Sequence, residues 1–157
     1  MIKIERILVP VDFSDGSQKA LRYAHEIARD RGSKVYVLHV INQRIIDAIR
    51  DMSAKGYKGE FVEVLKKVVQ ERTQELESFV PPAMREEVEV VFEISKGKPA
   101  QEVITFAREN KMDLIILGSV GRSALEAVLV GSVARNVSNQ APCPVLLVRP
   151  VEHDFIQ

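Results

Sequence analysis

The chain has 157 residues, 46% apolar and 28% charged, which fits one globular domain, read as residues 1–150 with a polar tail over 151–157. Lys+Arg and Asp+Glu both number 22, and this zero net charge removes the simplest argument for nucleic acid or an anionic membrane as partner. The single cysteine, Cys143, excludes an internal disulfide framework, no apolar run approaches the ~18 residues of a membrane span, and MIKIERILVPVDF is strand-like rather than a secretory signal, so a cytoplasmic protein is the expectation.

Residues 2–11 alternate early and then become a solid apolar run, Ile7-Leu8-Val9, as a strand buried on both faces does. Pro10 marks where its pairing ends. Ser14 is placed to cap a helix, Asp15 suits its first turn, and Ala20, Leu21, Ala24, Ile27 and Ala28 form one apolar stripe before Gly32 stops it. Val35–Val40 reads as a second buried strand, which completes a βαβ unit. Residues 41–60 read as a short helix and then a loop containing Gly56 and Gly59, a segment able to change order with ligand. Phe61–Phe79 is an amphipathic helix ended by Pro81-Pro82. Val88, Val90, Phe92 and Ile94 alternate with Glu89, Val91 and Glu93 as a third strand. Pro99 opens a helix that buries Val103, Ile104 and Ala107. A fourth strand covers 113–117, a helix follows Gly131-Ser132, and Val145–Val148 forms the fifth strand.

Five strands alternating with four main helices predict a doubly wound α/β fold, a five-stranded parallel sheet with helices on both faces. With strand order 3-2-1-4-5, the order reverses between strands one and four. Ligands of such sheets bind at the carboxyl ends of the strands at that reversal. The loop at Asp12 and the loop at Gly118 would then face one crevice.

The fourth strand stops at Gly118. Gly121 follows three residues later, and Gly131-Ser132 begins the next helix. Glycines at such a junction let backbone N–H groups approach an anion, and the helix N-terminus directs unpaired N–H groups and positive dipole to the same place. Ordinary turn and cap glycines are the alternative reading. Asp12 has two readings as well, an acceptor for ribose hydroxyls or a turn residue capping the first helix. Arg122 is suited to pair with a phosphate oxygen, or is a solvated loop arginine. His39 reads as a core or subunit-facing histidine, His25 as solvated, and Cys143 as structural. No two histidines have metal-ligand spacing, and Walker A, G-x-G-x-x-G and G-x-S-x-G frames are absent.

Gly118-Ser-Val-Gly121, nine further residues and Gly131-Ser132 match the G-x2-G-x9-G-[S/T] pattern of ATP-binding universal stress proteins. The opening IERILVPVDFS and the closing APCPVLLVRP resemble that family too, so the resemblance spans essentially the whole chain. It implies an adenine-nucleotide alpha-hydrolase-like fold and an ATP site with Mg²⁺ or Mn²⁺ on the phosphates. In that site Pro10, Val11 and Asp12 lie along the adenosine, and the Val40 backbone meets the adenine edge. Leu117 and Gly118 pack near adenosine. Gly121, Arg122, Gly131, Ser132 and Val133 surround the phosphates, and Ser119 fits the small polar residue often found after the first glycine. Val120 departs from the histidine or arginine that many relatives carry. The resemblance also implies a homodimer paired through Val145–Val148, an edge whose exposure would otherwise be an aggregation hazard. The implied role is regulatory, with at most slow ATP hydrolysis. The alternatives are an ATP hydrolase or nucleotidyl-transfer enzyme of the same fold, and a protein-interaction module that binds no nucleotide.

Overall fold

A computed structural model describes residues 1–57, 59–120 and 130–150. Its described elements are β1 (Arg6–Pro10), α1 (Asp15–Arg31), β2 (Lys34–Asn42), α2 (Gln43–Ala54), α3 (Phe61–Phe79), α4 (Pro82–Glu87), β3 (Val90–Gly97), α5 (Pro99–Glu109), β4 (Leu114–Gly118), α6 (Ser132–Gln140) and β5 (Val145–Val148). All strand pairs are parallel, in the order β3-β2-β1-β4-β5. The expected reversal between β1 and β4 is therefore present.

The solid apolar runs are explained by alternation across a sheet covered on both faces. Ile7, Val9, Val35, Val37 and Ile116 point to the layer of α1, α3 and α4, where they meet Leu21, Ala24, Leu76 and Met84. Leu8, Leu38, Ile115 and Leu117 point to the other face, against Val103 and Ala107 of α5 and Val137 of α6. The first helix begins and ends as its sequence dictates. Ser14 accepts a hydrogen bond from the Ser17 amide at 3.2 Å, and Gly32 closes α1 in the left-handed region at φ 70°.

Four expectations are corrected. Strand β1 starts at Arg6 rather than Ile2, because the Glu5 and Arg6 amides donate to the Asp113 carboxylate, each at 2.9 Å, and Ile2 is left exposed. Strand β3 starts at Val90, not Val88. Pro82 both ends α3's reach and opens the short helix α4, whose Met84 is buried and whose carbonyl accepts from the Val88 amide at 2.9 Å. Strand β2 runs on to Asn42 rather than ending at Val40, and the Asn42 side chain then caps α2, the short helix expected in this segment, by accepting from the Arg44 amide at 3.1 Å. His25 is not simply solvated: its Nε2 lies 2.7 Å from Glu87 Oε2, which ties α1 to α4.

Candidate functional site

The carboxyl ends of β1, β2 and β4 open into a cavity of about 780 Å³ at the reversal of strand order. Pro10, Val11 and Asp12 enter its wall from the end of β1, and Val40 from β2. Leu117, Gly118 and Ser119 enter from β4, and Gly131, Ser132 and Val133 from the start of α6. The structure thus gathers at one cavity the residues singled out in sequence, apart from Gly121 and Arg122, which lie outside the described residues.

Backbone polarity at the cavity follows from register. The Leu38 carbonyl accepts from the Val11 amide at 2.8 Å, and β1 pairs with β2 no further than Pro10 opposite Leu38. Val40, two residues on, directs its N–H and C=O toward the same side, beyond the end of β1. A donor and an acceptor therefore stand side by side at the crevice. Across it, α6 begins with Gly131 as N-cap at φ −63° and has no side-chain cap. The Gly131 amide is engaged by the Ser119 carbonyl at 2.7 Å, and the first helical bond runs from the Arg135 amide to the Gly131 carbonyl at 2.9 Å. The amides of Ser132, Val133 and Ala134, all cavity residues, are the first-turn donors that an α-helix leaves without intrahelical partners. A glycine cap leaves these donors, and the positive end of the dipole, to whatever enters the cavity.

Ser119 is almost fully buried, and its hydroxyl has no hydrogen-bond partner among the described residues. Its backbone fixes the junction, because its N–H donates to the Val148 carbonyl at 2.9 Å while its C=O holds Gly131.

The Asp12 carboxylate holds the turn that leads into the Ser14 cap of α1. Its Oδ1 accepts from the Ser14 amide at 3.1 Å, from the Ser17 hydroxyl at 2.6 Å and from the Ser14 hydroxyl. Between them Phe13 sits at φ 65°, a rare conformation for a bulky residue, and its ring packs 4.5 Å from His39 and 5.5 Å from Phe79. His39 Nδ1 lies 2.8 Å from the Val11 carbonyl. A carbonyl only accepts, so Nδ1 carries the proton and donates. Burial is the largest influence on this ring and pulls its pKa below the usual histidine value, partly opposed by the bond to Val11. His39 is therefore a neutral cavity residue that pins the β1 loop. The Cys143 thiol is pushed up by burial, in keeping with a structural role.

Gly118, in the cavity wall, also has a packing role that the sequence did not show. A Cβ on it would stand 3.0 Å from the backbone carbon of Gly16 and 3.1 Å from its Cα. The space its missing side chain leaves is filled by the first turn of α1, not by the cavity.

A model of the universal stress protein family matches residues 3–149. The chain belongs to that family. It is 35% identical over 147 residues to the universal stress protein MJ0531 of Methanocaldococcus jannaschii, covering 92% of this chain and 82% of the relative. The solved structure of MJ0577 from the same organism is similar at a TM-score of 0.81 and 27% identity, covering 97% of this chain and 100% of that one. A universal stress protein of Archaeoglobus fulgidus in complex with dAMP is similar at a TM-score of 0.60 and 25% identity, covering 95% and 100%.

Several residues of this universal stress protein's cavity went unread in the sequence, Asn42 and Arg72 among them. Asn42 lines it beside the start of α2, and Arg72 reaches it from α3. The signal for Arg72 was present, because the apolar stripe of α3 runs to Val69 and resumes at Leu76, leaving position 72 polar on an inward face. Among the described residues no group of three His, Cys, Asp or Glu is placed to hold a metal ion, and no helix is long and apolar enough to cross a membrane.

Proposed function

We propose that this cavity binds ATP, with the base at the Val40 backbone and the phosphates at the start of α6. The observation that carries the reading is the α6 N-terminus, where a glycine cap leaves three first-turn amides facing a cavity whose opposite wall presents a paired donor and acceptor. Adenine offers the complementary pair, a ring nitrogen that accepts and an amino group that donates. The dAMP complex of the Archaeoglobus relative supports an adenine nucleotide. Among the described residues the side-chain oxygens at the wall are those of Asp12, Asn42 and four serines, with a single carboxylate, too few for a protein cage. They fit Mg²⁺ or Mn²⁺ carried chiefly by phosphates and water. Such an ion would supply charge to the polyphosphate. Asp12 and His39 are both engaged in holding the β1–α1 turn, so the reading is of a regulatory binder with at most slow hydrolysis.

Calorimetry with ATP and Mg²⁺ on nucleotide-free protein tests this. A Gly131→Asp variant places a carboxylate where the phosphates belong and should lose ATP while retaining weak adenosine binding. A parent that binds neither ATP nor adenosine would refute the reading.

The same reading includes a homodimer through β5, the edge strand next to β4. The Val148 carbonyl faces β4, where it accepts from Ser119, so Val145 and Leu147 turn their backbone groups outward, free to pair with a second copy. Leu147→Pro removes one outward N–H and should shift the protein toward monomer in light scattering. An unchanged mass would count against pairing through this edge.

A further inference from the structure

Helix α3 turns an apolar stripe inward, with Leu76 fully buried and Phe79 packed against the same core. One turn before Leu76 that face carries Arg72, whose side chain joins the cavity wall close enough to His39 to bear on its ionisation. A cation on the inward face of an amphipathic helix gives up hydration and calls for a compensating partner. Among the described residues Arg72 pairs with Glu75: its NH1 donates to Glu75 Oε2 at 3.2 Å, and the side chain is 33% exposed. This bond orients the guanidinium. A guanidinium so held can stack through its flat face on an aromatic ring.

The two flanks of the cavity are chemically different. The α1–α3 layer contributes Phe13, His39 and Arg72, while α5 and α6 contribute Pro99, Val103 and Val133. A slot with rings and a guanidinium on one side and aliphatic groups on the other suits a planar aromatic ligand. We propose that Arg72 is a base-recognition residue, its guanidinium held by Glu75 against the face of the purine that enters this slot. The proposal rests on the nucleotide reading given above and adds a residue outside the strand ends and the glycine motif.

The test is calorimetry of the parent, Arg72→Ala and Arg72→Gln with three probes, ATP, adenosine and tripolyphosphate, all with Mg²⁺. Arg72→Ala should weaken ATP and adenosine by the same factor, roughly 2- to 30-fold, the range of a cation stacked on an aromatic face. Tripolyphosphate, which has no base, should bind both proteins equally. Arg72→Gln, which keeps a planar group and a donor to Glu75, should recover part of the loss. Unchanged ATP affinity in Arg72→Ala, with the parent binding, overturns the inference and leaves the nucleotide reading standing. An equal loss for tripolyphosphate overturns it too, because Arg72 would then be an anion contact. A parent that binds none of the three refutes the nucleotide reading itself.

Discussion

Gly118→Ala separates packing from ligand binding at the glycine junction. The added Cβ would lie 3.0, 3.1 and 3.2 Å from the carbonyl carbon, Cα and oxygen of Gly16, all backbone atoms of the first turn of α1. Backbone cannot rotate away as a side-chain tip does, so α1 must shift relative to β4. Such overpacking costs about 1–3 kcal/mol. For a chain of this size, at about 2–4 °C per kcal/mol, the melting temperature should fall by roughly 2–12 °C. The reciprocal change, Gly16→Ala, meets the Val120 carbonyl oxygen at 3.0 Å, with its next contact at 3.6 Å. It also gains up to ~1 kcal/mol of helix propensity, so its loss should be the smaller. Thermal and urea unfolding of both variants, without nucleotide, measure this directly. A Gly118→Ala protein as stable as the parent, or a Gly16→Ala protein that is the worse of the two, would refute the argument. The result matters for function because a larger residue at Gly118 would abolish binding by displacing α1, whether or not Gly118 touches a ligand.

Asp12→Ala should cost about 1–3 kcal/mol of ligand-free stability by stranding the Ser14 and Ser17 donors, and urea unfolding without nucleotide checks it. Ser119→Ala removes a buried hydroxyl that has no described partner, so ligand-free stability should hold or rise by up to ~1 kcal/mol while ATP affinity falls; a loss in stability with unchanged affinity would reverse the assignment. His39 has its folded pKa below the unfolded value near 6.5, so the unfolded chain binds more protons below that point. Stability should therefore be fully present above about pH 6.5 and decline as pH falls toward the folded pKa, and His39→Phe should flatten that slope in pH-dependent unfolding.

The sheet was legible because its strands are covered on both faces, so Ile7-Leu8-Val9 and Val35–Val40 carry an unbroken apolar signal, and because Ser14 and Gly32 mark helix ends by local chemistry. The cavity residues were legible because strand ends at a reversal of order converge whatever their side chains. What escaped depends on partners distant in the chain. The packing of Gly118 on Gly16 is invisible until α1 is seen against β4, and His25 looks solvated until α4 brings Glu87 to its ring. Val88 continues a strand-like alternation, yet the turn beginning at Pro82 claims it through its bond to Met84. Asp12 allowed two roles, and the structure shows its carboxylate holding the first turn of α1.

The sheet is unevenly sewn. β2 and β3 align over eight residue pairs, whereas β1 and β4 align over two, Ile7 with Leu114 and Leu8 with Ile115. Below that short seam the Asp113 carboxylate clasps the Glu5 and Arg6 amides, and above it Gly16 rests on Gly118. A molecule in the cavity would touch β1 and β2 on one side and β4 and α6 on the other, a rivet across the shortest strand pairing among the described residues. Its binding free energy would add to that of α1, which packs on both β1 and β4, in resisting the parting of these strands. Occupancy would thereby reinforce the sheet out to the β5 edge, where a second copy would attach.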